Sequence, residues 1–134
     1  MVGQTMIGGC GESAVAAEFL HNGIPVYTPL VDSGADLIVD INGRLCRVQV
    51  KSSLSEDHAV RFRLGRRFPG KHGWYDYDTA PDFYALCAIN RGYIALVPAG
   101  RKNIKLTFDN PACADRLMDM EIGMVIGRLK EESE

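Results

Sequence analysis

Asn42-Gly43 stands between two runs of β-forming residues, DLIVDI from Asp36 and RLCRVQVKSS from Arg44. An Asn-Gly pair accepts positive φ at both positions, so it predicts a two-residue type I′ hairpin turn. A turn of that length also fixes which residues face each other. Asp36 lies six residues before Asn42, and Gln49 lies six after Gly43, so the two are expected directly opposite and on one face of the sheet. Alternation along the second strand sorts the rest. Leu45, Arg47, Gln49 and Lys51 share a face, while Cys46, Val48 and Val50 share the other.

The remainder of the chain supplies elements to pack against this hairpin. Residues 12–21 place Val15, Ala16, Phe19 and Leu20 on one side of a helix that Asn22-Gly23 ends. Residues 24–30 read as extended, because Pro25 and Pro29 do not suit a helix interior. A short strand at 61–64 precedes a loop rich in Gly and Pro. Strands at 82–89 and 93–99 form a second hairpin around Asn90-Arg91-Gly92. A strand at 104–108, a helix at 112–121 and an acidic tail at 130–134 complete a single expected domain, 1–134. Elements in this order make an α/β or α+β fold, a mixed central sheet flanked by helices.

Several function classes fall away. With 46% hydrophobic residues in 134, the chain has enough apolar surface for a core without disulfides. Cys10, Cys46, Cys87 and Cys113 are scattered, with neither a CxxC pair nor zinc-ligand spacing, so they read as free thiols. No apolar run approaches the ~20 residues of a membrane span, and the N-terminus does not read as a signal peptide, so a cytoplasmic protein without membrane association is expected. The Gly-rich stretch Gly8–Ser13 lacks the Gly-Lys-Ser/Thr ending of a phosphate loop. Ser13, Ser52 and Ser53 have no evident His/Asp partners for nucleophilic catalysis.

The Asp36–Lys51 segment carries the chemistry. A hard divalent cation takes oxygen ligands, and one or two carboxylates suffice when water and phosphate complete the shell. Asp36 offers a carboxylate, Gln49 a neutral amide oxygen and Val50 a backbone carbonyl. Glu12, expected in the first turn of the opening helix, is an accessory carboxylate if that helix end packs near the hairpin. Lys51 would orient water or offset charge on a phosphorane. A bland reading stands beside this one. Asp36 closes a turn, Gln49 and Lys51 line a solvated strand, and Glu12 complements the helix dipole.

The string GESAVAAEFLHNGIPVYTPLVDSGADLIVDINGRLCRVQVKSS resembles the core of the PD-(D/E)XK nuclease superfamily. That pattern sets a helix-borne Glu, an Asp opening a hairpin, and (D/E)-x-K on the next strand, here matched by Glu12, Asp36 and Gln49-Val50-Lys51. The GE start, the Gln and the VQVKSS ending are most similar to small intron-encoded homing endonucleases of bacteria, and next to archaeal Holliday-junction resolvases. The later DFYALCAINRGYIALVPA resembles their strand-turn-strand segment, and the likeness spans roughly residues 9–110. It implies a restriction-endonuclease-like α/β fold and an endodeoxyribonuclease using Mg2+, with Mn2+ a possible substitute. Glu12, Asp36, Gln49 and Lys51 become catalytic positions, and Asp36, Gln49, Val50 and Glu12 metal ligands. Two positions depart from the pattern. Gln49 replaces an acid, which lowers metal affinity or the number of metals, and Ala35 replaces a proline. Junction resolution, or a non-catalytic DNA-binding module on the same fold, are the alternatives.

Charge distribution bears on the partner. The formal charge is only −2, yet residues 61–72 (RFRLGRRFPGKH) hold Arg61, Arg63, Arg66, Arg67 and Lys71 without an acid, leaving −7 for the rest. Arg suits bidentate phosphate contact, so a basic loop at 61–78 is expected to meet DNA. A solvated loop with aromatics packed on the core is the plainer reading. Cutting both strands of a duplex is simplest with two sites, so a homodimer or homotetramer is expected, with Met118–Leu129 as an assembly surface. If the gene is carried by a mobile element or virus, the host-cell cytoplasm is the expected location.

Overall fold

The computed structural model describes residues 3–31, 34–64, 81–99 and 103–107. Helix α1 (Gln4–His21) is followed by strands β1 (Val26–Tyr27), β2 (Leu37–Ile41), β3 (Arg44–Ser53), β4 (Ala59–Arg63), β5 (Phe83–Ala88), β6 (Tyr93–Pro98) and β7 (Asn103–Thr107). A 3₁₀ turn at Ile89–Arg91 joins β5 to β6. The main sheet has the order β1-β2-β3-β5-β6, and β4 pairs with β7 in a separate ribbon. The β3–β5 pair is parallel and the other pairs are antiparallel, so the main sheet is mixed.

The Asn42-Gly43 turn takes the expected form, with φ of 54° and 86°. Asp40 Oδ1 accepts a 2.9 Å hydrogen bond from the Gly43 amide and braces it. Helix α1 ends in a Schellman arrangement. The Ile24 amide donates to the Phe19 carbonyl at 2.9 Å and the Gly23 amide to Leu20 at 3.0 Å, with Gly23 at φ 75°.

The start of α1 corrects the expectation of a helix over 12–21. The helix begins eight residues earlier and runs through Gly8, Gly9 and Gly11, so Glu12 lies in its interior and no acid occupies its first turn. Intrinsic propensity opposes this, since each helical Gly costs ~1 kcal/mol relative to Ala. The gain is packing. Gly11, Val15 and Phe19 recur every four residues, and all three are buried. Val15 and Phe19 sit on Leu37, Val39, Cys46, Val48 and Phe83, with the Phe19 and Phe83 rings tilted 56° at 6.3 Å.

The opposite face of the sheet has its own core. Val60, Phe62 and Leu64 pack with Tyr84, Leu86, Ala88, Tyr93 and Ala95, and with Ile104 and Leu106 of β7. β5 is therefore covered on both faces and buried at every position, which matches its unbroken apolar run FYALCA. The strand expected at 61–64 exists as β4, so Arg61 and Arg63 belong to a strand and not to a loop. The helix expected at 112–121, the acidic tail, Cys113, Met118–Leu129 and the loop residues Arg66, Arg67 and Lys71 lie outside the described residues. No described helix is long and apolar enough to cross a membrane.

Candidate active site

β2 and β3 pair with Leu37 opposite Val48 and Ile41 opposite Arg44. Continued by one residue, that register sets Asp36 opposite Gln49, as the turn arithmetic requires. The Asp36 amide donates to the Val48 carbonyl at 2.8 Å. Its carboxylate then takes over where β2 ends. Asp36 Oδ2 accepts a 2.8 Å bond from the Val50 amide. The carboxylate thus replaces a ladder partner for β3, which fixes its position against the strand.

This bond also orients Val50. The N–H and C=O of one strand residue point to the same edge, so the Val50 carbonyl faces the edge where Asp36 sits and β2 has stopped. Gln49 and Lys51 alternate with Val50, half-buried, on the face opposite α1. They pair with Tyr84 and Leu86 of β5, whose side chains support the β4–β7 ribbon. Gln49 and Lys51 therefore emerge beside that ribbon.

Glu12 reaches the same place from α1. Its carboxyl is pushed above the usual glutamate range, first by desolvation and second by the Asp36 carboxylate. The second cause sets the Glu12 carboxyl within electrostatic reach of Asp36. Beside Glu12 on α1, Gly11 brings the helix backbone against β3. A Cβ there would overlap Ser52 Oγ and stand 2.8 Å from Ser52 Cβ. Ser52 Oγ and Gln49 Oε1 are buried atoms that form no hydrogen bond among the described residues, although Gln49 as a residue is not without partners.

These donors fit a hard divalent cation. They are all oxygens, they include two carboxylates whose mutual repulsion a cation would relieve, and the Val50 carbonyl faces the edge where Asp36 sits. Among the described residues no group of three or more His, Cys, Asp or Glu gathers at one point. The set holds two acids, Glu12 and Asp36, with the Gln49 amide oxygen as a neutral third ligand candidate. The buried cysteines Cys46 and Cys87 do not compete for the role. Burial pushes the Cys46 and Cys87 thiols up to about 11, with Asp82 adding to the first and Cys10 to the second.

A family model described as PD-(D/E)XK endonuclease matches residues 3–78. The chain belongs to the PD-(D/E)XK endonuclease family. The matched span holds Glu12, Asp36, Gln49 and Lys51. The solved structure of a bacterial homing endonuclease, I-Ssp6803I, is similar over 100% of both chains, with a TM-score of 0.71 at 18% identity. That likeness is one of fold, and it fits the mixed sheet with α1 against one face. No curated protein matches the sequence. Within the PD-(D/E)XK frame, the structure sets Asp36 opposite Gln49 and bonds its carboxylate to the Val50 amide, with Lys51 next along β3, while Glu12 lies on α1 within electrostatic reach of Asp36. Arg61 and Arg63 stand apart, on β4. The sequence reading sets Ser52 aside as a nucleophile, and the alternation of β3 puts it on the α1 face with Val50. The placement of Lys105 opposite Arg61 cannot be read from the sequence, because it depends on the pairing of β4 with β7.

Proposed function

We propose that this protein is a metal-dependent endodeoxyribonuclease of the homing type, with Mg2+ as its ion and Mn2+ as a substitute. The observation that carries the proposal is the Asp36 carboxylate, bonded to the Val50 amide and opposite Gln49 in the strand register. Asp36 would be the principal ligand, Gln49 and the Val50 carbonyl neutral ligands, and Glu12 an accessory carboxylate. The ion supplies positive charge to a phosphate oxygen and raises the acidity of a nearby water. Lys51, two residues beyond Gln49 on the same face, would orient the attacking water and offset charge on the phosphorane. A water oxygen bonds to phosphorus as one ester P–O bond breaks, and a proton ends on the departing oxygen. Arg61, Arg63, Arg66, Arg67 and Lys71 would bind the DNA backbone.

The same reading makes 1–134 one nuclease domain with a basic segment at 61–78, working in the cytoplasm as a homodimer or homotetramer. Cleavage of supercoiled plasmid with and without Mg2+ tests it. Wild type should cut only with the ion. Asp36→Ala and Lys51→Ala should each lose at least ~100-fold in rate, within the range for removal of a transition-state contact, while their circular dichroism stays native. Full activity in Lys51→Ala would remove the mechanism. A wild type that binds duplex and cuts none would favour the non-catalytic module, for which Gln49 in place of an acid is the motivating residue. Preference for a synthetic four-way junction over duplex would favour resolution.

A further inference from the structure

The β4–β7 ribbon has two unlike faces. Val60, Phe62 and Leu64, with Ile104 and Leu106, point into the second core. Arg61, Arg63, Asn103 and Lys105 alternate with them and are exposed on the other side. The register sets Arg61 directly opposite Lys105, and Arg63 opposite Asn103. Like charges directly opposite across strands are destabilising in the free protein. None of the outward positions described on either strand, Ala59, Arg61, Arg63, Asn103 and Lys105, is acidic. The chain runs on from Arg63 toward Arg66 and Arg67, and it enters β7 from Arg101 and Lys102.

We propose that this outward ribbon face docks duplex DNA, with Lys105 acting beside Arg61 and Arg63 as a phosphate-binding residue. The proposal rests on the endonuclease reading above and adds to it a surface and a residue. Charge complementarity selects a polyanion. The shape selects a duplex, because a two-stranded antiparallel ribbon fits the ~12 Å major groove. Placement gives the docking a purpose. The ribbon packs on Tyr84 and Leu86, the β5 neighbours of Gln49 and Lys51, so a duplex held on the ribbon stands on the same side of the sheet as Gln49 and Lys51. The mutual repulsion of Arg61 and Lys105 is then relieved on binding, which favours the bound state.

The test uses the full chain and a fluorescent duplex, in EDTA so that nothing is cut, at several NaCl concentrations. Lys105→Ala should weaken binding about tenfold at 50 mM salt and lower the slope of log affinity against log salt by about one. Lys105→Glu should weaken it further, and Lys105→Arg should bind like wild type. Thermal melts should not fall, because Lys105 is exposed and its loss removes the repulsion from Arg61. Wild-type affinity and slope in both Lys105→Ala and Lys105→Glu would overturn the ribbon proposal while leaving the endonuclease reading intact. A wild type that neither binds nor cuts duplex would overturn both. Binding that depends on Lys105 without cleavage in Mg2+ would support the ribbon and overturn only the catalytic reading.

Discussion

At Glu12 the carboxyl loses solvent against the sheet and faces the Asp36 charge, and both raise its pKa. For an acid so shifted, the folded state prefers the protonated form. The associated stability is fully present below the ordinary glutamate pKa and is lost as pH rises through the folded value. Ionised Glu12 therefore opposes folding at neutral pH when no cation is bound. Glu12→Gln should then melt higher than wild type at pH 7 in EDTA, and the difference should shrink toward pH 4. Added Mg2+ should stabilise wild type more than the variant. A variant that melts lower than wild type at pH 7 in EDTA would contradict this account. The site was legible at this scale where a local rule sufficed. Asp36 and Gln49 follow from counting outward from Asn42-Gly43, and the placement seen in β2–β3 agrees. Glu12 was expected at a helix end and stands in a helix interior, because nothing in the sequence near it reports the packing that extends α1.

Extension of α1 is decided by its contact with β3. A Gly-rich N-terminal turn is a poor helix by propensity, and isolated helices draw little stability of their own, so burial of the Gly11-Val15-Phe19 stripe decides. The three glycines inside this stretch then differ in role. Gly8 and Gly9 face open space, with nothing beyond their own helix turn within 4 Å of where a Cβ would stand among the described residues, whereas Gly11 is against Ser52. Gly8→Ala and Gly9→Ala should each raise stability by up to about 1 kcal/mol. Gly11→Ala gains the same helix term but forces α1 away from β3, an overpacking cost of typically about 1–3 kcal/mol, so it should lower the urea midpoint. Ser52→Gly in the same chain should restore part of the loss by clearing the space the new methyl needs. Equal midpoints for Gly11→Ala and Gly9→Ala would refute the close approach. Strand pairing shows the same division between local and distant information. The two hairpins were readable because a turn joins the partners. A long stretch of chain separates β4 from β7, and no local rule joins Arg61 to Lys105.

For the whole molecule, a charge of −2 understates its electrostatics. Five cations without an acid lie in residues 61–72, and the carboxylates Glu12 and Asp36 stand within electrostatic reach of each other. On the proposed function, such a separation of charge would draw a polyanion to the basic residues and leave the acids to a cation. It also bears on how many chains act together. Each chain has one proposed site, at the end of β2–β3, and one site reaches one phosphodiester at a time. The strands of a duplex are antiparallel and related by two-fold axes, so a second copy related by C2 symmetry puts an equivalent site on the second strand. If the enzyme works as a dimer or tetramer, both strands break within one binding event and supercoiled plasmid passes to linear with little nicked circle. A monomer must release and rebind, so nicked circle would accumulate first. Sedimentation velocity at the assay concentration should accordingly show a species of at least two chains, and the linear form should rise without a lag. A monomeric boundary together with a transient excess of nicked circle would dismiss the assembly while leaving single-strand cleavage in place.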